Sequence, residues 1–156
     1  MSFCTLAIGF LLWSESQFTA SMSASEREAI EKSILETSAQ MTQAGEARDI
    51  DRLFGFMLDT NKGSVIQNGR VLLTRAEALE QTKKNIGGIS KIEYRWKQQH
   101  VTVLSPTVAL LISEGETSAA TEQGQSFTAP FAQTIVFVLA DGHWKALHAH
   151  QSSPRR

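Results

Sequence analysis

The chain is 156 residues long, 42% hydrophobic and 20% charged, with a formal net charge of −1. That suits one globular domain with room for a core, and its scattered basic residues exclude the electrostatic footprint of a nucleic-acid binder. The single cysteine, Cys4, excludes an internal disulfide framework and a cysteine metal cluster.

Residues 3–13, FCTLAIGFLLW, have the length of a signal-peptide apolar region and are too short to span a bilayer, so no membrane partner is expected. The polar run SESQFTASMSAS follows, with a candidate cleavage point near Ala24, yet no Lys or Arg precedes the apolar stretch. Export to the periplasm or beyond and residence in the cytoplasm therefore both stay open. Residues 1–24 are read as a signal peptide or disordered extension, and residues 25–154 as a single domain.

Within that domain, Ser25 and Glu28 have capping-box spacing. Ile30, Ile34, Thr37, Met41 and Ala44 then recur on one helical face, Glu28 and Lys32 form a favourable i,i+4 pair, and Gly45 offers the stop. Asp49 can cap a short second helix over 50–58. Asn68-Gly69 between apolar runs predicts a tight hairpin. Thr74 with Glu77 opens a third helix over about 75–86, closed by Gly87-Gly88. The remainder alternates as four long strands with turns at Ser105-Pro106, around Gly124 and at Asp141-Gly142, an antiparallel meander. The order predicts an α+β fold: three N-terminal helices packed on a curved antiparallel sheet, bent into a cone that encloses a cavity.

The closing stretch DGHWKALHAHQSSP concentrates the chemistry. His148 and His150 alternate on one strand and so share a face. A straight two-residue turn at Asp141-Gly142 would set Ile135 opposite His148 and Gln133 opposite His150, on one face with Phe137 and Ala146. On the preceding strands Tyr94, Trp96, Gln98 and His100 would share a face, as would Leu110, Ile112, Glu114 and Glu116. A hydrogen-bonded packing role for the two histidines ranks first. Acid–base chemistry near neutral pH comes next. A zinc site with His100 or Glu114 as third ligand ranks last, because no HExxH motif or cysteine ligand accompanies them, and neither metal nor cofactor is expected. Asp59 reads as a helix-end polar residue, and Trp144 as a core or interface aromatic.

The element order and the residues Asp141, Gly142, Trp144, His148, His150 and Ser152 resemble the NTF2-like (cystatin-like) superfamily, in particular its SnoaL-like and DUF4440 group. The last strand is also similar to that of the association domain of calcium/calmodulin-dependent kinase II, and AGEARDIDRLFGFM loosely resembles the group's early segment. The resemblance implies a cone-shaped pocket for a small, largely apolar molecule and a homodimer made through the sheet. The resemblance does not imply one activity; if the domain is an enzyme, the residues point to proton-transfer chemistry of isomerase, cyclase or dehydratase type, with His148 and His150 as acid–base groups. Tyr94, Trp96, Gln133, Ile135 and Phe137 would then contact the ligand. The alternative is a non-catalytic oligomerisation module. No Lys or Arg lies between Lys97 and Lys145, which argues against an anion-binding cavity like the kinase domain's.

Overall fold

The computed structural model describes residues 22–153. The apolar run at 3–13, Cys4 and most of the leader reading lie outside them. The first helix, α1, spans Ala24–Glu46. Its capping box is Ser23 with Glu26, two residues earlier than the expected pair: the Glu26 amide donates to Ser23 Oγ at 3.2 Å and the Ser23 amide to Glu26 Oε2 at 2.7 Å. Spacing alone cannot separate the two candidates, because Ser23 and Ser25 each have a glutamate three residues on. A cut after Ala24 would detach this cap from its helix.

Gly45 does not end α1. It lies buried inside the helix, where an added Cβ would come 3.4 Å from the Tyr94 ring, so it permits a close approach to the sheet. The stop is a Schellman motif two residues on. Arg48 takes φ +57, its amide donates to the Gly45 carbonyl at 3.0 Å, and the Asp49 amide to that of Ala44 at 2.9 Å. The Arg48 guanidinium then donates to the Ile89 carbonyl at 2.6 Å, tying the helix end to the start of the sheet.

Asp49 caps α2, Ile50–Gly55, by accepting from the Arg52 amide. This helix stops short of the expected residue 58 because the sheet captures its backbone. The Phe56 carbonyl accepts from the Ala146 amide at 2.9 Å, and the Leu58 amide donates to the Ala146 carbonyl at 2.8 Å. The Asn68-Gly69 hairpin forms as expected between β1 (Val65–Gln67) and β2 (Arg70–Leu72), with φ of +52 and +74 at the turn. Helix α3, Arg75–Asn85, begins at Thr74; Glu77 reaches back to the Leu73 amide.

The long strands are β3 (Ile89–Ser105), β4 (Val108–Thr121), β5 (Ser126–Ala140) and β6 (His143–Ser152). They form the expected meander within a six-stranded sheet of order β2-β1-β6-β5-β4-β3. The sheet is mixed, which corrects the all-antiparallel expectation: β1 joins β6 in parallel, pairing Val65 with Ala149 and Ile66 with His150. A parallel neighbour distant in sequence leaves no hairpin signal to read.

Helices and the inner sheet face close on a core of Ile34, Phe54, Leu72, Leu111, Ile135, Phe137 and Ala146. The register shifts at four places, around Ser90, Lys97 and Leu104 on β3 and around Leu147 on β6, and two of these bear on the site. Lys97 is extra between the pairs Trp96–Gly115 and Gln98–Glu114, and Leu147 is extra between Phe137–Ala146 and Val136–His148.

Candidate functional site

Between α1, α3 and the inner face of the sheet lies a cavity of about 200 Å³. An apolar cavity of roughly 150 Å³ can hold a benzene molecule, so this one has room for a small ring compound. Helix α1 contributes Ser38, Met41, Thr42 and Gly45; Leu53, Phe54 and Met57 come from α2 and the residues after it. Tyr94 and Trp96 come from β3, Phe131, Gln133 and Ile135 from β5, Ala149 and Gln151 from β6, and Val65 and Gln67 from β1; Thr82, Asn85 and Ile86 close the α3 side.

One wall is an aromatic trio. Tyr94 and Trp96 stack with centroids 5.8 Å apart and planes within 9°, and Phe131 tilts against both at 5.8 Å. Trp96 and Phe131 stand on strands either side of β4, where both flank Gly115 in the ladder. A Cβ there would collide with the Arg95 carbonyl at the Lys97 bulge. The glycine thus lets β3 close over β4, and the bulge sets the pitch of the wall. The Trp96 indole N–H donates to Thr42 Oγ1 at 3.2 Å, and the Tyr94 amide to Glu46 Oε1 at 2.9 Å, fixing the wall to α1. Tyr94, Phe131, Phe127 and Ala129 continue the apolar surface outward into a second, open hollow of about 410 Å³.

No Asp, Glu, Lys, Arg or His belongs to the described lining of the inner cavity, and its one titratable side chain is Tyr94. Burial, and secondarily the negative charge of Glu46, push the Tyr94 phenol above its ordinary value. At neutral pH it is a protonated donor.

The expected ligand contacts divide. Tyr94, Trp96, Gln133 and Ile135 line the cavity; Phe137 is fully buried in the core beneath it. The Leu147 bulge overturns the expected register: Ile135 pairs with Ala149 and Gln133 with Gln151, while His148 pairs with Val136 and His150 with Thr134. Both histidines consequently fall on the opposite sheet face from Ile135, Ala149 and the cavity. His148 Nδ1 is 2.9 Å from the Gly63 carbonyl, a contact that holds the loop before β1 against β6, and His150 is exposed.

The Lys97 bulge likewise separates Gln98 and His100 from Tyr94 and Trp96. Gln98 donates to Glu114 Oε2 at 2.7 Å, and Glu116 lies 3.3 Å from Lys97. Asp59 is exposed, 3.9 Å from Arg75, and Trp144 packs on the core. Among the described residues no group of three His, Cys, Asp or Glu side chains is placed to hold a metal ion, and no helix is long and apolar enough to cross a membrane.

Sequence patterning misses Phe131, Gln67 and Gln151. Phe131 could have been found, since it alternates with Gln133 and Ile135 on β5. Gln151 depended on seeing the bulge, and Gln67 on the parallel pairing of β1.

Residues 34–156 match the family described as the SnoaL-like domain, and the chain belongs to that family. Its fold is the NTF2-like, cystatin-like cone. An NTF2-like superfamily protein from Salmonella enterica serovar Typhimurium superposes with a TM-score of 0.74 at 15% identity, covering 83% of this chain and 94% of that one. A type 2 hexachlorocyclohexane dehydrochlorinase gives 0.72 at 15% identity, covering 85% and 90%. A Caulobacter vibrioides protein with a cystatin-like fold gives 0.67 at 16% identity, covering 80% and 89%. Likeness at such identities defines the fold alone. Among curated proteins none matches this chain.

Proposed function

We propose that the domain binds a small, largely apolar molecule inside its cone, with the ring system of that molecule against Tyr94, Trp96 and Phe131. One observation carries the reading: a cavity of about 200 Å³ walled by that aromatic trio, with no formally charged residue in its described lining. Largely apolar concave sites with a few fixed polar groups are the usual form of a small-molecule pocket. The name of one structural neighbour, hexachlorocyclohexane dehydrochlorinase, is in keeping with a substrate of this size and polarity. Turnover in this cavity would draw on the Tyr94 phenol as its titratable lining group. His148 acts instead in holding β6 to the loop at Gly63, and His150 belongs to the exposed outer face.

The test is a thermal-shift and tryptophan-fluorescence screen of the full chain against small ring compounds. Binders should stabilise the wild type and shift Trp96 emission, and Ile135→Trp, which fills the cavity, should abolish both responses. A screen in which no compound distinguishes wild type from Ile135→Trp would sink the proposal.

The outer face supports a second element, pairing with another copy of the chain. Leu104 and Ile112 are 42% and 47% exposed there, next to the partly buried Leu110 and Val136. Sedimentation of the wild type as a dimer and of Ile112→Glu as a monomer is expected; a monomeric wild type at high concentration would remove this element.

A further inference from the structure

The open hollow of about 410 Å³ differs from the inner cavity in both lining and setting. Tyr94 and Phe131 wall both spaces, while Thr117, Phe127, Ala129 and Ser153 belong to the open one. Phe127 is 38% exposed there. The described lining carries no charged side chain, yet negative charge gathers beside it. Gly45 lets the Tyr94 ring approach the last turn of α1. That turn holds no basic residue, so the negative end of a 23-residue helix has no cation within it. Glu46, in the same turn, is half-buried, and its Oε1 accepts from the Tyr94 amide.

The cations nearby are engaged elsewhere. Lys91 pairs with Glu93 at 2.7 Å and Lys97 with Glu116 at 3.3 Å. The Arg48 guanidinium donates to the Ile89 carbonyl, and Arg95 alternates with Tyr94 and so stands on the opposite face of β3. Among the described residues Glu46 has no ion-pair partner. A carboxylate drawn partly out of water without a counter-charge carries a desolvation penalty that a bound cation would offset. The chemistry of the lining selects the class of cation. A small, hard ion such as calcium or magnesium demands several oxygen ligands, whereas one uncommitted carboxylate stands here. An alkylated ammonium group is recognised by aromatic faces instead.

We propose that the open hollow is a binding site for a small organic cation, an alkylated ammonium compound seated on Tyr94, Phe127 and Phe131 beside Glu46 and the end of α1. The site lies outside the inner cavity and is independent of what that cavity holds.

The test sets choline, a quaternary ammonium, against the neutral alcohol that carries a tert-butyl group in place of the trimethylammonium, so that shape is kept and charge is lost. Both are titrated into the full chain by calorimetry. Tyr94, the only tyrosine in the chain, is titrated by phenolate absorbance with and without each probe. Burial first, and the Glu46 charge second, hold that phenol above its ordinary value, and choline keeps its charge throughout the alkaline range. Wild type should bind choline roughly fivefold to thirtyfold more tightly than the alcohol, the range of one cation–π contact with partial desolvation. Choline should lower the Tyr94 midpoint and the alcohol should not, since a bound cation favours the phenolate. Glu46→Gln, whose side-chain carbonyl still accepts from the Tyr94 amide, should lose most of the preference, as should Phe127→Ala. Ile135→Trp, which fills the inner cavity, should keep it.

Equal binding of the two probes, or no measurable binding of either, overturns the cation site and leaves the inner-cavity reading standing. Loss of choline binding in Ile135→Trp with retention in Phe127→Ala would move the cation into the inner cavity and overturn the proposal in the same way. A preference that persists in both Glu46→Gln and Phe127→Ala, or a Tyr94 midpoint that choline does not move, would place the cation away from this hollow. If Glu46→Gln does not fold, Phe127→Ala and the Tyr94 midpoint decide between the same outcomes.

Discussion

The two faces of one sheet carry opposite chemistry. The inner face presents Tyr94, Trp96, Phe131, Gln133 and Ile135 to the cavity and Leu111 and Phe137 to the core, with no charged residue among these. The outer face carries Gln98, His100, Glu114, His148 and His150, and nearly all the side chains that would suggest catalysis in the sequence. Alternation alone does not produce this sorting. At the site it is completed by an extra residue in β3 and another in β6, Lys97 and Leu147, which change the phase of Gln98 and His100 and of His148 and His150. Without the Leu147 bulge, straight pairing would turn both histidines toward the cavity. The teaching is that a bulge can decide whether a histidine is a candidate base or a strut.

The sharpest way to break the comparison is to remove volume from one face and then the other. Phe137→Ala, at a fully buried position, should lose about 3–5 kcal/mol in urea denaturation. Ile112→Ala on the outer face should lose under about 1 kcal/mol in the monomer, because much of that side chain stays in water. Comparable losses would mean that the outer face is buried in the folded unit being denatured. Next in size is Gly115→Ala. The new Cβ meets backbone, the Arg95 carbonyl at the bulge, and backbone cannot swing aside as a side chain can. A loss of about 1–3 kcal/mol is expected, with disturbed near-ultraviolet ellipticity from Trp96; a neutral outcome would show that the bulge can slide.

The fold was legible wherever a local signal specified it. Asp49 and Thr74 cap their helices as their sequence contexts predict, and the Asn-Gly and Asp-Gly turns adopt the positive φ that their residues favour. Legibility failed where the cause was distant in sequence. Residues 56–58 leave the helix because β6 captures their backbone, and β1 docks in parallel on a strand some 80 residues away. The site was half legible for the same reason. Tyr94 and Trp96 alternate on β3 before the Lys97 bulge and Gln133 and Ile135 alternate on β5, whereas His148, His150 and Gln151 lie beyond the Leu147 bulge.

A third prediction sharpens the inner face alone. Tyr94 is the only tyrosine in the chain, so the phenolate absorbance band reports a single group. Burial first, and the Glu46 charge second, raise its folded value. In native protein the band should therefore appear above the ordinary tyrosine range of about 10, and should return to about 10 in strong urea. Below the unfolded value both states hold the proton and the contribution of Tyr94 to stability is fully present. As pH rises toward and through the folded value, the unfolded chain ionises first and the contribution is lost. Tyr94→Phe should flatten that alkaline fall relative to wild type, and Glu46→Gln should move the native midpoint partway down. A native midpoint at the urea value would place the ring in solvent and remove the wall from the cavity.

The smallest expected effect is the most informative for the histidines. In the straight register His148 and His150 would face a bound molecule, and His148→Ala/His150→Ala would weaken binding or stop turnover. In the bulged register the imidazoles stand on the other side of β5 and β6 from Gln133, Ile135 and Gln151, with a strand backbone between them and the cavity. The double variant should therefore leave the affinity of any cavity ligand unchanged. It should lose only the stability that the His148 contact with the Gly63 carbonyl contributes, about 0.5–1.5 kcal/mol. His150→Ala alone should cost less, since its side chain is exposed and β1 is held at that position by backbone pairing with Ile66. The two readings also differ in their dependence on ligand. A strut contributes the same with the cavity empty or full, so the melting difference between wild type and variant should not change as ligand is added. A difference that grows with ligand concentration would instead give the histidines a place at the site, and the sorting of the two faces would have to be redrawn around β6.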